Sequence, residues 1–232
     1  SGRIEAIAAD SDGVAESWQH IEIDRTSDPA QLEHVRSRIE AALDDVRVAV
    51  EDWPAMLRQA RELAAAVTQK APGLSRAETQ EAGAFLAWLA DNHFTFLGYR
   101  EYRLERGPSV DRLAPVAKSG LGLLRTGAGR PRAQTTLLRG EVRRKAREAV
   151  ALVVTKANSA STIHRATYLD YVGVKTFDAR GRVTGERRFI GLFTSATYSA
   201  SPREIPLLRH KVQRVIDHFG ISPVSHDGKA LM

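Results

Sequence analysis

The sequence predicts an α+β fold, with a mainly antiparallel sheet and flanking helices. The clearest element is a β-hairpin, because two runs rich in β-branched and aromatic residues, 168–177 and 183–198, flank a short turn. That turn, 178–181, opens with Asp and ends with Gly, which suits a tight reversal of the chain. Segments with apolar residues at helical spacing lie before and after the hairpin.

The amino-terminal part is predicted to be a loop around 10–13, a short strand at 17–25 and then a helix. Asp28-Pro29 is a helix start, since Asp caps free N–H groups and Pro fits the first turn. One stripe at helical spacing follows, formed by Leu32, Val35, Ile39, Leu43 and Val46. Beyond Val46 the pattern fits a strand or a helix. Helix is favoured, with a break near Pro54.

A second helical stretch, 58–70, is predicted to end at Pro72-Gly73, which is the predicted domain boundary. Ser75 and Glu78 form a capping-box pattern that begins the next helix. Asn92 or His93 closes that helix, and 94–104 is predicted to be a strand.

The stretch 107–138 is rich in Gly, Pro and Arg and is predicted to be a loop. It lacks the spacing and the Lys-Ser/Thr ending of a phosphate-binding P-loop. A basic cluster follows at 139–147, then a short buried strand at 151–155. The final helix is predicted from Pro206 to Gly220, and 221–232 is predicted to be a tail.

Composition limits the classes of function. The 232 residues include no cysteine, which excludes disulfides, thiol nucleophiles and thiolate metal sites and fits a reducing cytoplasm. The sequence shows neither a membrane-spanning run nor a signal peptide, so a cytoplasmic location is expected. The net charge of +6 permits an anionic partner but does not identify one.

Single residues with catalytic potential have simpler structural interpretations. His164 is favoured as a hydrogen-bonding residue, since no second histidine lies at ligand spacing. Asp170 and Glu186 could form a carboxylate pair, but pairing with Lys175, Arg187 or Arg188 across the sheet is favoured. Ser195 lacks a nucleophile elbow. No catalytic residue, cofactor-binding residue or metal ligand is therefore assigned.

Several segments together carry a resemblance to a known family. They occur in the family's order and span nearly the whole chain: 20–25, 45–47 with 51–53, 92–102, 170–175, 185–195, 205–209 and 225–231. They include Asn-His-Phe-Thr-Phe-Leu-Gly-Tyr-Arg-Glu-Tyr at 92–102 and Arg-Phe-Ile-Gly-Leu-Phe-Thr-Ser at 188–195, and the segments are specific together rather than singly. The chain resembles the amino-terminal regulatory segment of the large bacterial NAD-specific glutamate dehydrogenases.

The resemblance implies a non-catalytic regulatory and oligomerisation segment of an enzyme. The full enzyme would oxidatively deaminate glutamate to 2-oxoglutarate and ammonia, with NAD as its cofactor. Residues 1–72 would be the end of an ACT-like module plus a linker helix, 73–222 a PAS-like module, and 223–232 a tail toward the next module. The family's catalytic lysines and nucleotide-binding glycines have no counterpart here, so this segment is expected to need no cofactor.

Expected partners are other modules of the same chain and neighbours in a homo-oligomer, together with a small-molecule or amino-acid effector. No membrane partner is expected. If the PAS-like module has a ligand pocket, Tyr99, His164, Tyr171 and Phe189 are its predicted lining, although aromatic residues of a central sheet usually pack as core. The alternative is a stand-alone nucleic-acid-binding protein, suggested by the charge and the basic cluster 139–147. Two glutamates interrupt that cluster and no aromatic residues interleave with it, so nucleic acid is disfavoured.

Overall fold

A computed structural model describes residues 18–69, 71–127, 130, 133–220, 222, 225, 226 and 228. The predicted loop at 10–13 and most of the predicted tail lie outside these residues. The structure divides into two compact units, with the division between Ile39 and Glu40. In the first unit, residues 18–28 have no regular secondary structure, so the predicted strand at 17–25 is wrong over its described part. Its apolar side chains Trp18, Ile21 and Ile23 are exposed, because no described strand pairs with this segment.

The described chain contains five α-helices, one wide helical turn and seven strands. The helices are α1 Pro29–Gln69, α2 Arg76–Trp88, α3 Gly140–Arg147, α4 Ser195–Ser199 and α5 Leu208–Phe219. The wide turn Leu89–His93 ends α2. The strands are β1 Phe94–Glu105, β2 Asp111–Pro115, β3 Leu121–Gly122, β4 Thr136–Leu138, β5 Leu152–Ala160, β6 Tyr168–Phe177 and β7 Val183–Phe193.

Helix α1 is continuous through Pro54, so the predicted break there is wrong. Proline removes one backbone donor and leaves the carbonyl of Val50, four residues earlier, without its helical partner. Val50 is 67% exposed, so water can reach that turn. The helix therefore keeps its direction through the proline. In α2 the predicted capping box is confirmed, because Ser75 and Glu78 exchange side chain-to-backbone hydrogen bonds.

All strand pairs are antiparallel, in the order β4-β2-β1-β7-β6-β5, with β3 also paired to β1. The predicted α+β class with an antiparallel sheet and flanking helices is confirmed. The hairpin β6–β7 is present, and Gly181 adopts a φ of 75° in its turn. Its second strand ends at Phe193 rather than at 198, because the chain enters α4.

Two other predicted elements need correction. The stretch 107–138 is not simply a loop, because it contains β2, β3 and β4. These strands are two to five residues long, too short to show an alternating pattern amid glycine and proline. The predicted buried strand at 151–155 is the longer β5, which is mostly intermediate or exposed because it lies at the edge of the sheet.

The main core lies between one face of the sheet, here called the inner face, and the helices α1 and α2. Met56 and Ala60 of α1 and Leu86 of α2 pack there with Phe96 and Phe189 of the central strands, and all are almost fully buried. The two helices approach closely at Gly83 of α2. A Cβ at that glycine would lie 2.8 Å from the carbonyl oxygen of Ala64 in α1, so any larger residue would push the helices apart.

Candidate functional site

The structure brings together only two of the four predicted pocket residues. Tyr99 and Phe189 lie on the inner face with their rings 4.9 Å apart and are 2% and 0% exposed. The single O–H of Tyr99 is shared between two acceptors, the Glu101 carboxylate at 2.9 Å and the Gln59 amide oxygen at 3.1 Å. Burial, and then the nearby Glu101 carboxylate, raise the pKa of Tyr99 above its usual value. This hydroxyl therefore stays neutral and acts as a structural hydrogen-bond donor.

Tyr171 lies on the opposite, outer face of the sheet, because it pairs with Ile190 rather than with Phe189. Its hydroxyl donates to Glu186, and Arg188 lies over its ring at 4.9 Å from the centroid. Arg188 also lies 4.1 Å from the centroid of Tyr102 and binds Glu186 at 3.1 Å. The outer face thus holds a guanidinium between two tyrosine rings, with one carboxylate as its counter-ion.

His164 lies apart from both tyrosines, in the loop between β5 and β6, and has a φ of 69°. It lines a groove of about 390 Å³ together with Val46, Val50 and Trp53 of α1. Thr95 and Leu97 of β1 form part of the same groove. The surroundings are almost entirely apolar, so the groove suits the burial of an apolar side chain better than acid–base chemistry.

Asp170 and Glu186 do not form a carboxylate pair. Register places Asp170 opposite Gly191 and Glu186 opposite Lys175, which puts the two carboxylates on opposite faces of the sheet. Asp170 binds Lys156 of the neighbouring strand at 2.6 Å, a partner that the sequence interpretation did not include. Glu186 binds Arg188, as favoured from the sequence. Both carboxylates thus serve ion pairs within the sheet.

The basic cluster 139–147 begins at Arg139, just before α3, and continues through that helix. Three of its arginines bind carboxylates. Arg143 and Arg147 both reach Asp111, which is fully buried, at 3.2 and 2.6 Å. Arg144 binds Glu141 at 2.5 Å. The hydrogen bonds from Arg147 hold the pKa of Asp111 well below its usual value, against the opposing effect of burial. Two of these arginines therefore fix α3 to the sheet instead of facing a polyanion.

Lys175 is a buried cation that binds no carboxylate within the described residues. Its ammonium donates to the carbonyl oxygens of Lys145 and Glu148 at 2.5 and 2.8 Å, and to that of Ala146 at 3.3 Å. These carbonyls end helix α3, where a positive charge is stabilising. Burial lowers the pKa of Lys175. All three of its N–H groups are thus matched by carbonyls, so it has a structural role.

A second buried cation, Arg100 of β1, borders a pocket of about 530 Å³, here called the Arg100 pocket. Arg100 is 6% exposed and donates through Nη2 to the carbonyl oxygen of Leu124. Lys118, Gly120 and Thr126 also line this pocket. Sequence interpretation missed Arg100, although an arginine within a predicted core strand, next to Tyr99, is a signal that could have identified it.

The carboxyl-terminal helix is fixed to the core through Glu81 of α2. This carboxylate accepts hydrogen bonds from Arg209 and, at 2.9 Å, from the backbone N–H of Leu207 just before α5. The hydrogen bonds from Arg209 lower the pKa of Glu81 to about 2, although its burial acts in the opposite direction. His210 lies 3.2 Å from the same carboxylate.

Within the described residues, no group of three or more histidine, aspartate or glutamate side chains is arranged to hold a metal ion. In that same part of the chain, none of the helices combines the length and hydrophobicity that crossing a membrane requires. Several carboxylates of the described chain, those of Asp52, Glu81, Asp111 and Asp170, are instead engaged in ion pairs with arginine or lysine side chains.

Comparison with known proteins confirms the resemblance to NAD-specific glutamate dehydrogenases. Residues 205–232 match the family described as glutamate dehydrogenase, helical motif 1. The chain is 39% identical over 228 residues to the NAD-specific glutamate dehydrogenase of Halomonas elongata, and 37% identical over 216 residues to that of Pseudomonas aeruginosa. It is 30% identical over 221 residues to that of Mycobacterium tuberculosis. These alignments cover 96, 93 and 94% of the chain but only 14, 13 and 12% of the relatives.

Proposed function

We propose that this chain is a non-catalytic regulatory and assembly segment, near the amino terminus, of an NAD-specific glutamate dehydrogenase. The observation that carries the proposal is the alignment: nearly all of the chain matches such enzymes, while the match spans about an eighth of their length. The whole protein would then oxidatively deaminate glutamate to 2-oxoglutarate and ammonia with NAD. The residues for that chemistry would lie in the remainder of the polypeptide.

The proposed modules are those that the family resemblance implies. Residues 1–72 are assigned to the end of an ACT-like module with its linker helix, 73–222 to a PAS-like module and 223–232 to a connection toward the next module. An antiparallel sheet that packs helices on its inner face supports the PAS-like assignment. The match of 205–232 to a helical motif supports a transition to helical structure at this end.

Exposed apolar residues of α1 support an assembly role. Leu43, Val46, Val50 and Trp53 follow one another at intervals of three, four and three residues and are 43–67% exposed. This spacing is that of a helix face which packs against a second helix. Since this chain spans only 12–14% of its relatives, we infer that the partner helix belongs to another module of the same polypeptide. Crosslinking from position 50 in the full-length protein would test this inference. A crosslink to another module of the same polypeptide would support it, whereas a crosslink to a second copy would identify a homo-oligomer neighbour instead.

The test uses the isolated chain, whose NAD binding and glutamate turnover are measured directly. We expect the 232-residue chain to bind no NAD in a thermal-shift measurement and to form no NADH from glutamate. NADH formation by the chain alone, lost on unfolding, would refute the non-catalytic assignment. In the same thermal-shift experiment, a rise in melting temperature with an amino acid would support an effector role, since a ligand that binds only the folded state stabilises it.

A further inference from the structure

We propose that the Arg100 pocket binds a small oxyanion, namely the carboxylate or phosphate group of a metabolite, through Arg100 and Lys118. The first observation is the state of Arg100. A charged side chain that is 6% exposed is costly unless it is paired. Its hydrogen bond within the described chain goes to the neutral carbonyl of Leu124, and no described carboxylate lies within ion-pair distance.

Several other arginines of the described chain have a carboxylate partner, which Arg100 lacks. Arg125 is paired with Asp52 at 2.6 Å, and Arg187 lies 3.5 Å from Glu101. Arg188 has Glu186 as its counter-ion. Lys175 binds no carboxylate, but three carbonyls satisfy its three N–H groups. Arg100 has five N–H groups and one described acceptor, so most of its donors are available for another partner.

The remaining N–H donors of Arg100 are accessible, and the residue lines the pocket. No buried side-chain nitrogen or oxygen in the described chain lacks a hydrogen-bond partner. Since Nη2 of Arg100 makes its bond to Leu124, the nitrogens Nε and Nη1 must remain accessible, and Arg100 is part of the pocket wall. A guanidinium that is held at one end and open at the other can present two parallel N–H groups to a carboxylate or phosphate.

The electrostatics of the pocket favour an anion. The described residues that line it include Arg100 and Lys118 but no aspartate or glutamate. Arg188 is the direct partner of Arg100 across β1 and β7, so both guanidinium groups lie on the outer face. Like charges placed directly opposite each other are destabilising, and Glu186 supplies only one negative charge for the pair. An oxyanion beside Arg100 would relieve this excess of positive charge.

Lys118 is held at the pocket in a strained conformation. Its φ is 61°, a value that non-glycine residues rarely adopt. The turn is fixed by Ser119, whose hydroxyl donates to the carbonyl of Val116 at 2.8 Å and accepts the backbone N–H of Glu101 at 3.1 Å. Strain that surrounding contacts maintain is typical of binding sites. A volume of about 530 Å³ is that of a site for a small metabolite.

The test uses the whole 232-residue chain and isothermal titration with two probes, inorganic phosphate and 2-oxoglutarate, at constant ionic strength. We expect saturable binding of at least one probe, with one site per chain. Binding of both indicates recognition of an oxyanion in general, and binding of 2-oxoglutarate alone indicates a carboxylate metabolite. Arg100→Gln should weaken binding about tenfold or more, because a charge-assisted pair is lost. Lys118→Ala should weaken it about threefold, since this residue is exposed at the pocket.

Lys211→Ala is the matched control, because it removes an exposed lysine of α5, away from the pocket lining. It should leave both affinities unchanged. Absence of saturable binding to the wild-type chain would overturn the proposal, as would equal affinities in wild type and Lys118→Ala. If Arg100→Gln does not fold, the Lys118→Ala result decides alone. The titration does not depend on enzyme activity. Absence of oxyanion binding would therefore leave the proposed role in glutamate dehydrogenase unaffected. Refutation of that role would likewise leave a measured oxyanion site unaffected.

Discussion

The contact of Glu81 with the start of α5 should make the stability of the folded chain depend on pH. The carboxyl pKa is lowered from 4.5 to about 2, mainly by hydrogen bonds from Arg209. A tenfold change in proton affinity corresponds to about 1.4 kcal/mol, so the lowered pKa sets an upper limit of about 3.4 kcal/mol. Arg209 is 41% exposed, so solvent screens the pair and about 1–2 kcal/mol is expected.

The direction of this pH dependence follows from the lowered pKa. A carboxyl group whose folded-state pKa is lowered stabilises the fold fully above its unfolded pKa, and this stabilisation is lost as the pH falls toward the folded value. Glu81→Gln should therefore lower the free energy of unfolding by about 1–2 kcal/mol at pH 7. The difference from wild type should shrink between about pH 4.5 and 2, because protonated Glu81 carries no charge either.

Urea unfolding of both proteins, followed by far-ultraviolet circular dichroism across this pH range, measures the difference directly. Glu204→Gln serves as the control, because Glu204 is an exposed carboxylate just before α5 and has no ion pair within the described residues. It should change stability by less than about 0.5 kcal/mol. A Glu81→Gln deficit that stays constant from pH 7 to 2 would show that the lost stability does not come from the ionised carboxylate.

Three further predictions concern the core, a helix start and the basic cluster. Asp111→Ala should lower the free energy of unfolding by about 2–3 kcal/mol, because hydrogen bonds to a buried carboxylate are lost while both partner arginines are partly exposed. Arg144→Ala should change it little. Chemical denaturation measures both variants, and equal effects would contradict the assignment. Ser75→Ala should cost about 1 kcal/mol through loss of the capping box, and a Thr replacement should restore most of it. In a mobility-shift assay at physiological salt we expect no complex with DNA or RNA. A salt-sensitive shift that is lost in Arg139→Ala, which removes an exposed arginine of the cluster, would instead support the nucleic-acid alternative.

Local sequence signals predicted the hairpin and the capped helix well. The turn 178–181 and the helix cap depend only on residues a few positions apart, so the local sequence is enough to predict them. Strands β2 to β4 were missed, because strands of two to five residues among glycine and proline are too short to show alternating apolar and polar residues. The path of α1 through Pro54 depends on exposure of the preceding turn, which only the packed structure shows.

The candidate site was harder to predict than the fold. Tyr99 and Tyr171 look equivalent in sequence, but an irregularity in the pairing between Phe96 and Gly98 and the register of β6 place them on opposite faces. One residue of register reverses every side chain of a strand, and periodicity alone does not set it. Arg100 was missed because its significance lies in what surrounds it after folding: a pocket and a neutral acceptor instead of a carboxylate.

The most direct measurement of the central claim is a deletion in the full-length polypeptide that contains this chain. We predict that removal of the segment corresponding to residues 73–222 leaves NAD-dependent oxidation of glutamate measurable, while the assembly state or the response to effectors changes. Activity and mass should be measured on the same preparation, so that loss of folding is recognised. A deletion variant that keeps the native assembly but loses all turnover would contradict the account, because it would place catalytic groups within this segment.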